Sequence, residues 1–169
     1  MIILNKRLLM TYIEWKELHA KAKSNIISKH NLNNVKDIIK YFDYDNMVVN
    51  ESNFCPLYKD NIKCHNIDNL NCYYCGCPYF IINENPKTVG KTTIVSTCMI
   101  NSKYKSEYYE NPDGNNVVRI HCDCSNCYVP HTTKFATKYL TECVDNNTNL
   151  SDHNSILEYV RNKQKIIDV

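Results

Sequence analysis

The sequence predicts a single small α+β domain in which N- and C-terminal helices bracket a cysteine-rich loop region. The chain has 169 residues, 43% of them hydrophobic, which is enough for one globular core. Helical periodicity occurs at both ends, and nine of the ten cysteines fall in residues 54–130, where that periodicity is lost. We therefore expect an N-terminal helical segment over residues 1–50, a cysteine-rich region over 51–143 and a helical tail over 144–169, forming one compact unit.

Two amphipathic helices are predicted in the first segment. From residue 12 to about residue 30, Ile13, Leu18, Ala22 and Ile26 recur at roughly helical spacing among Glu and Lys residues. A second helix is expected to begin after an asparagine N-cap at residue 33 or 34 and to end near residue 45. We expect both helices to cover the core, and we interpret their histidines as ordinary surface or core residues.

Short β-branched or aromatic runs beside the cysteines are candidate strands. They are residues 79–82, 92–97 and 117–120. Farther along, Phe135, Tyr139 and Cys143 recur every fourth residue, which predicts a helix with Cys143 as a small buried hydrophobic residue. Ser151 or Asp152 is a candidate N-cap for one more helix.

Charge and hydropathy exclude several classes of protein. With 20 basic and 18 acidic residues, the net charge of +2 provides no strong attraction for nucleic acid or an anionic membrane. No apolar run approaches the ~18 residues that span a bilayer, and residues 1–10 lack the features of a signal peptide. We expect a cytoplasmic protein without a membrane partner. Thiols are reduced in that compartment, so metal binding or catalysis explains the cysteines better than disulfides do.

Two C-x2-C pairs, Cys72 with Cys75 and Cys124 with Cys127, are the strongest functional signal. This spacing lets two thiolates converge on one metal ion from a tight turn, while nearby amides stabilise their charge. Other cysteines and histidines of the region extend the set to two possible four-ligand sites, and the spacing leaves their allocation open. The candidate metal ligands are Cys55, Cys64, His65, Cys72, Cys75, Cys77, Cys98, Cys122, Cys124, Cys127 and His131.

The order of these motifs resembles the small cysteine-rich domain family of bacteria and archaea that is described as zinc-finger-like. The resemblance is carried by C-H at 64–65, C-Y-Y-C-G-C-P-Y at 72–79, the single Cys98, D-C-S-N-C at 123–127 and P-H at 130–131. It covers roughly the middle half of the chain. It implies metal binding, without a particular metal or reaction.

The function that the residues favour is structural zinc binding, with one or two ions in closed four-coordinate sites. Structural zinc contributes on the order of 10 kcal/mol to folding, enough to order a loop-rich segment. Such a segment is expected to loosen without metal. Once ordered, it would offer a surface to a protein partner or a small molecule.

Three alternatives remain open, and with them the question of whether the protein is an enzyme. Cys77 directly before Pro78 is typical of iron–sulfur turns, so a 4Fe–4S protein with redox or sulfur-transfer activity is the main alternative. A catalytic zinc with Glu84 or Asp123 as general base is another. The tyrosines and lysines of residues 103–109 provide weak support for nucleic-acid binding.

Overall fold

The computed structural model describes residues 12–83, 85–111, 114 and 116–145, together with the backbone of residues 167 and 168. Within these residues the α-helices are α1 (Tyr12–Lys29), α2 (Val35–Tyr41), α3 (Tyr44–Asn50) and α4 (Thr133–Asp145). Short 3-10 helices occupy Pro56–Asp60 and Val129–His131. The predicted α+β class is confirmed, with helices on both sides of the cysteine-rich segment. The helix predicted after Ser151 or Asp152 lies outside the described residues.

The strands are short and fall mainly within the cysteine-rich region. They are β1 (Phe80–Ile82), β2 (Thr88–Val89), β3 (Thr92–Ile94), β4 (Ser96–Cys98), β5 (Ile100–Asn101), β6 (Ser106–Glu110), β7 (Val118–Asp123) and β8 (Ile167–Asp168). All three predicted strand regions contain one or more of them. Among the described residues, no helix is both long enough and apolar enough to cross a membrane.

The sheets bring distant cysteines to one side of the molecule. A four-stranded sheet has the order β2-β3-β7-β6, in which β3 and β7 are parallel. β1 and β4 form a separate antiparallel pair that sets Phe80 opposite Cys98. The N–H of Val95 donates to the carbonyl of Ile120 at 2.9 Å and joins the two sheets between β4 and β7. The ends of β4 and β7, both of which carry cysteines, are therefore neighbours.

The second predicted helix is split into α2 and α3, whereas its periodicity predicts one helix continuing to Asp45. The N–H of Tyr44 donates to the carbonyl of Leu70 at 2.9 Å, and the N–H of Cys72 donates to the carbonyl of Phe42 at 2.7 Å. These two long-range bonds replace helical ones between α2 and α3. They also attach the first C-x2-C segment to the helices.

The core lies between α2, α4 and the first C-x2-C segment. Tyr73 and Tyr74, the residues between the paired cysteines, are fully buried against Phe42 and the apolar face of α4. Leu140 and Cys143 are also fully buried, which confirms the interpretation of Cys143 as a core residue. The two buried tyrosines therefore anchor the first C-x2-C turn to the core.

Candidate metal centre

A group of four thiols surrounds the first C-x2-C turn, and we call it the upstream thiol group: Cys55, Cys64, Cys72 and Cys75. The turn is closed by a hydrogen bond of 3.1 Å from the N–H of Cys75 to the carbonyl of Cys72. Burial, opposed by the Tyr58 hydroxyl and assisted by the neighbouring thiols of the group, raises the pKa of Cys72 to about 12. Several of these thiols would ionise together only if a cation compensated their charge.

A Cys/His group, consisting of Cys64, His65 and His131, is the one cluster of three metal-ligating side chains found among the described residues. One sulfur and two imidazole nitrogens all lie within 4.8 Å of one another. The two imidazole rings are 4.9 Å apart between centroids. Sulfur and imidazole nitrogen are the donors that zinc prefers, so the group fits three ligands of a tetrahedral site.

The electrostatics of the two imidazoles suit metal binding. Burial, with a smaller contribution from His65, lowers the pKa of His131 to about 4. Burial also lowers the pKa of His65, so both rings are neutral near pH 7. The Nδ1 atom of His131 is buried and has no hydrogen-bond partner. Since buried polar atoms are rarely left unsatisfied, this nitrogen fits a metal ligand.

Asn71 holds His131 beside the first C-x2-C segment. This asparagine is fully buried, and its backbone N–H donates to the carbonyl of His131 at 2.7 Å. Its side-chain Nδ2 donates to the carbonyl of Ile39 at 2.8 Å, and its Oδ1 accepts the N–H of Tyr73 at 3.1 Å. One residue thus links α2, the C-x2-C segment and a histidine far along the chain.

A second group of thiols, the downstream thiol group, comprises Cys77, Cys98, Cys122 and Cys124. All four line one cavity of about 390 Å³. The sulfurs of Cys122 and Cys124 are 3.5 Å apart. A hydrogen bond between the thiols of Cys98 and Cys124 lowers the pKa of Cys98 and raises that of Cys124. Burial raises the pKa of Cys77 to about 12.

Both imidazoles of the Cys/His group also line this cavity. Its remaining walls are Tyr12, Phe80, Ile100, Asp123, Ser125, Cys127 and Pro130. The carboxylate of Asp123 accepts hydrogen bonds from the N–H and the hydroxyl of Ser125 at 2.9 and 2.6 Å, and these bonds lower its pKa. It is therefore part of a turn. Glu84, the other candidate general base, lies outside the described residues.

The second C-x2-C pair forms the expected turn but its sulfurs have different neighbours. The N–H of Cys127 donates to the carbonyl of Cys124 at 2.9 Å. The buried Cys127 thiol contacts the hydroxyl of Ser102 at 3.7 Å, whereas that of Cys124 contacts Cys98 and Cys122. The packing of β4 against β7 therefore determines which thiols lie next to Cys124.

Sequence reasoning missed the polar face of α1 that covers the cysteine segment. Lys16, His19 and Lys23 are buried, whereas Ile13 and Leu18, members of the predicted apolar stripe, are 37% and 55% exposed. Their spacing of three and four residues is a helical-face signal, but periodicity methods follow apolar residues and therefore pass over it. Buried lysine ammonium groups beside thiols favour the thiolate form.

Comparison with known proteins finds no match to any family model, any curated protein or any solved structure. What the chain shows on its own is an α+β protein with ten cysteines and a Cys/His group with the arrangement of a metal site.

Proposed function

We propose that this protein binds zinc at a structural centre formed by Cys64, His65 and His131. The observation that carries the proposal is the convergence of their three ligand atoms within 4.8 Å, one histidine having a buried nitrogen without a partner. Burial raises the pKa of Cys64 and the Cys55 thiol raises it further, which makes Cys55 the candidate fourth ligand. A Cys2His2 donor set is a common structural zinc site.

The role of this centre is to join segments that are far apart in the chain. Cys64 and His65 lie in a loop before the first C-x2-C turn, and His131 ends the 3-10 helix before α4. A metal bound by both would cross-link them, with a contribution to folding on the order of 10 kcal/mol. The ordered region would then present a binding surface to a protein partner or small molecule in the cytoplasm. The motif resemblance to zinc-finger-like domains supports this proposal.

Metal content of variants tests the proposal. Protein purified under reducing conditions without chelators is expected to hold one or more equivalents of zinc per chain by elemental analysis. His131→Ala should lose an equivalent, whereas His30→Ala, a histidine whose ring contacts Tyr41 and Glu51, should lose none. A fully folded wild-type protein without zinc would contradict the proposal.

The second candidate function is an iron–sulfur protein with redox or sulfur-transfer activity. The observation in its favour is that five thiols line one cavity, which is enough to supply the ligands of a cluster. Anaerobic purification followed by measurement of iron, acid-labile sulfide and the visible spectrum distinguishes it from the zinc proposal. A colourless protein that contains only zinc excludes the cluster.

A further inference from the structure

We propose that Cys77, Cys98, Cys122 and Cys124 form a second, all-thiolate zinc centre that is separate from the Cys/His group. The choice of zinc rests on the proposed function. The allocation of these four ligands rests on the strands that carry them. This would make the protein a two-centre metalloprotein with one mixed site and one sulfur-only site.

The strand pairings bring the four cysteines together from separate parts of the chain. Cys77 stands just before β1, and Cys98 ends β4 opposite the first residue of β1. The N–H of Cys122 donates to the hydroxyl of Ser96 at 2.9 Å, which fixes β7 against β4. Cys124 follows Cys122 on the same side, as alternate residues of an extended strand do.

The sulfurs of Cys122 and Cys124 have nearly the spacing that zinc requires. Zinc–thiolate bonds of about 2.3 Å in a tetrahedron separate the sulfurs by about 3.8 Å. The Cys122 and Cys124 sulfurs are 3.5 Å apart, and Cys124 is also in hydrogen-bond contact with Cys98.

The surroundings supply hydrogen-bond donors and positive charge for thiolates. Backbone groups of Tyr79 and Phe80 hydrogen-bond to the Cys77 thiol, and the backbone of Ile100 does so to the Cys98 thiol. Such donors are the usual neighbours of metal-bound sulfur. The ammonium of Lys105 is 3.4 Å from the carbonyl oxygen of Cys98. These groups oppose the net negative charge of a zinc ion with four thiolates.

The two groups are held by different elements, although His65 and His131 line the same cavity as the quartet. Cys98 and Cys122 lie on β4 and β7, whereas Cys64 and His65 lie in the loop before the first C-x2-C turn. The mixed site would therefore hold sulfur and nitrogen ligands, and the second site sulfur alone. Cobalt(II) distinguishes these, because thiolate-to-cobalt charge-transfer absorption grows with the number of sulfur ligands.

The test is an anaerobic cobalt titration followed by zinc competition. The wild type should bind two equivalents. The double variant Cys98→Ser/Cys124→Ser and the single variant Cys77→Ser should each lose the sulfur-rich spectrum and keep one equivalent, which also shows that they fold. His131→Ala should keep the sulfur-rich spectrum and lose the other equivalent. Cys127→Ser, a cysteine of the same cavity outside the proposed quartet, should keep both.

Several results would overturn the second centre while leaving the first intact. One is a wild type that binds a single equivalent of cobalt, which only His131→Ala fails to bind. Another is a double variant that still binds two equivalents. A third is the loss of both equivalents in Cys77→Ser and in the double variant. Iron with sulfide in the quartet would overturn its assignment to zinc. Failure of the proposed function itself is distinguishable, because then His131→Ala binds as the wild type does or no metal binds at all.

Discussion

The ammonium group of Lys23 donates a hydrogen bond of 2.7 Å to the backbone carbonyl of Cys75, although only 2% of Lys23 is exposed. Burial lowers the pKa of this lysine to about 8, and the neighbouring Cys75 thiol opposes that effect. The bond attaches α1 to the first C-x2-C turn and sets a positive charge beside its thiols. A helix that the sequence predicts as a cover for the core thus also contacts the candidate metal-binding region.

Replacing Lys23 by methionine is expected to lower the free energy of unfolding by about 1–3 kcal/mol, because the carbonyl of Cys75 loses a buried charged donor. Zinc affinity at the proposed second centre should fall as well, since the Cys77 thiolate loses a nearby cation. Lys21→Met, at an exposed position of the same helix, is the control and should change stability by less than about 0.5 kcal/mol. Urea denaturation measures the stability of both variants, and equal effects of the two substitutions would refute the role of Lys23.

Gly76→Ala is expected to destabilise the protein more than Gly90→Ala does. Both glycines have positive φ, +72° and +63°, so alanine is strained at each by about 1 kcal/mol. At Gly76 the added Cβ would also meet the Trp15 ring at 2.8 Å, whereas at Gly90 nothing lies within 4 Å. Overpacking adds about 1–3 kcal/mol. Denaturation midpoints that shift equally in the two variants would show that the α1 contact has no cost.

Asn71→Ala removes two buried side-chain hydrogen bonds and leaves the carbonyl of Ile39 and the N–H of Tyr73 without those partners. We expect a loss of about 2–4 kcal/mol in the free energy of unfolding. Zinc binding should weaken too, because the segment that positions His131 loosens. Asn66→Ala, an exposed asparagine in the preceding loop, is the matched control. Chemical denaturation of zinc-loaded protein measures the change in stability. A loss of stability no larger than that of Asn66→Ala would contradict the prediction.

His19 should make stability depend on pH. Its ring stacks on Trp15 and packs against Phe54, and burial, with a smaller effect of Lys23, lowers its pKa from 6.5 to about 3. Between these values the unfolded chain binds the additional proton, so stability is lost as the pH falls from about 6.5 to 3. The loss is on the order of 2–4 kcal/mol.

The measurement for His19 compares the wild type with His19→Gln in the same zinc-containing buffers. Zinc release at low pH affects both proteins, so it largely cancels in their difference. As the pH falls, the free energy of unfolding should decrease more for the wild type than for His19→Gln. A constant difference from pH 7 to pH 4 would show that His19 is protonated in the folded protein.

Removal of metal should loosen the cysteine-rich segments before the helical core. Tyr74, Leu140 and Cys143 belong to the buried hydrophobic core, whereas the loop around Cys64 and His65 has few backbone hydrogen bonds. We expect hydrogen exchange after chelation to accelerate at residues 61–69 and 128–131, and much less in α4. Hydrogen-exchange protection that does not change on chelation would contradict a structural role for the metal.

Local elements were predictable because their determinants are close in the chain. The four-residue recurrence of Phe135, Tyr139 and Cys143 predicts α4 and its buried face, and both are present. α1 was predicted at nearly its observed bounds. Its buried face was predicted wrongly at Ile13 and Leu18, because contacts with the cysteine segment override the apolar pattern.

The sequence by itself determined the fold class, the existence of the main helices and the residue types available to bind metal, since these depend on local periodicity and side-chain chemistry. Only the tertiary structure decided which ligands meet. It set His131 beside Cys64 through the backbone of Asn71, and it set Cys124 beside Cys98 and Cys122 through the packing of β4 against β7. Hydrogen bonds between distant strands leave no signature in the spacing of cysteines, so the allocation of ligands depends on the folded chain.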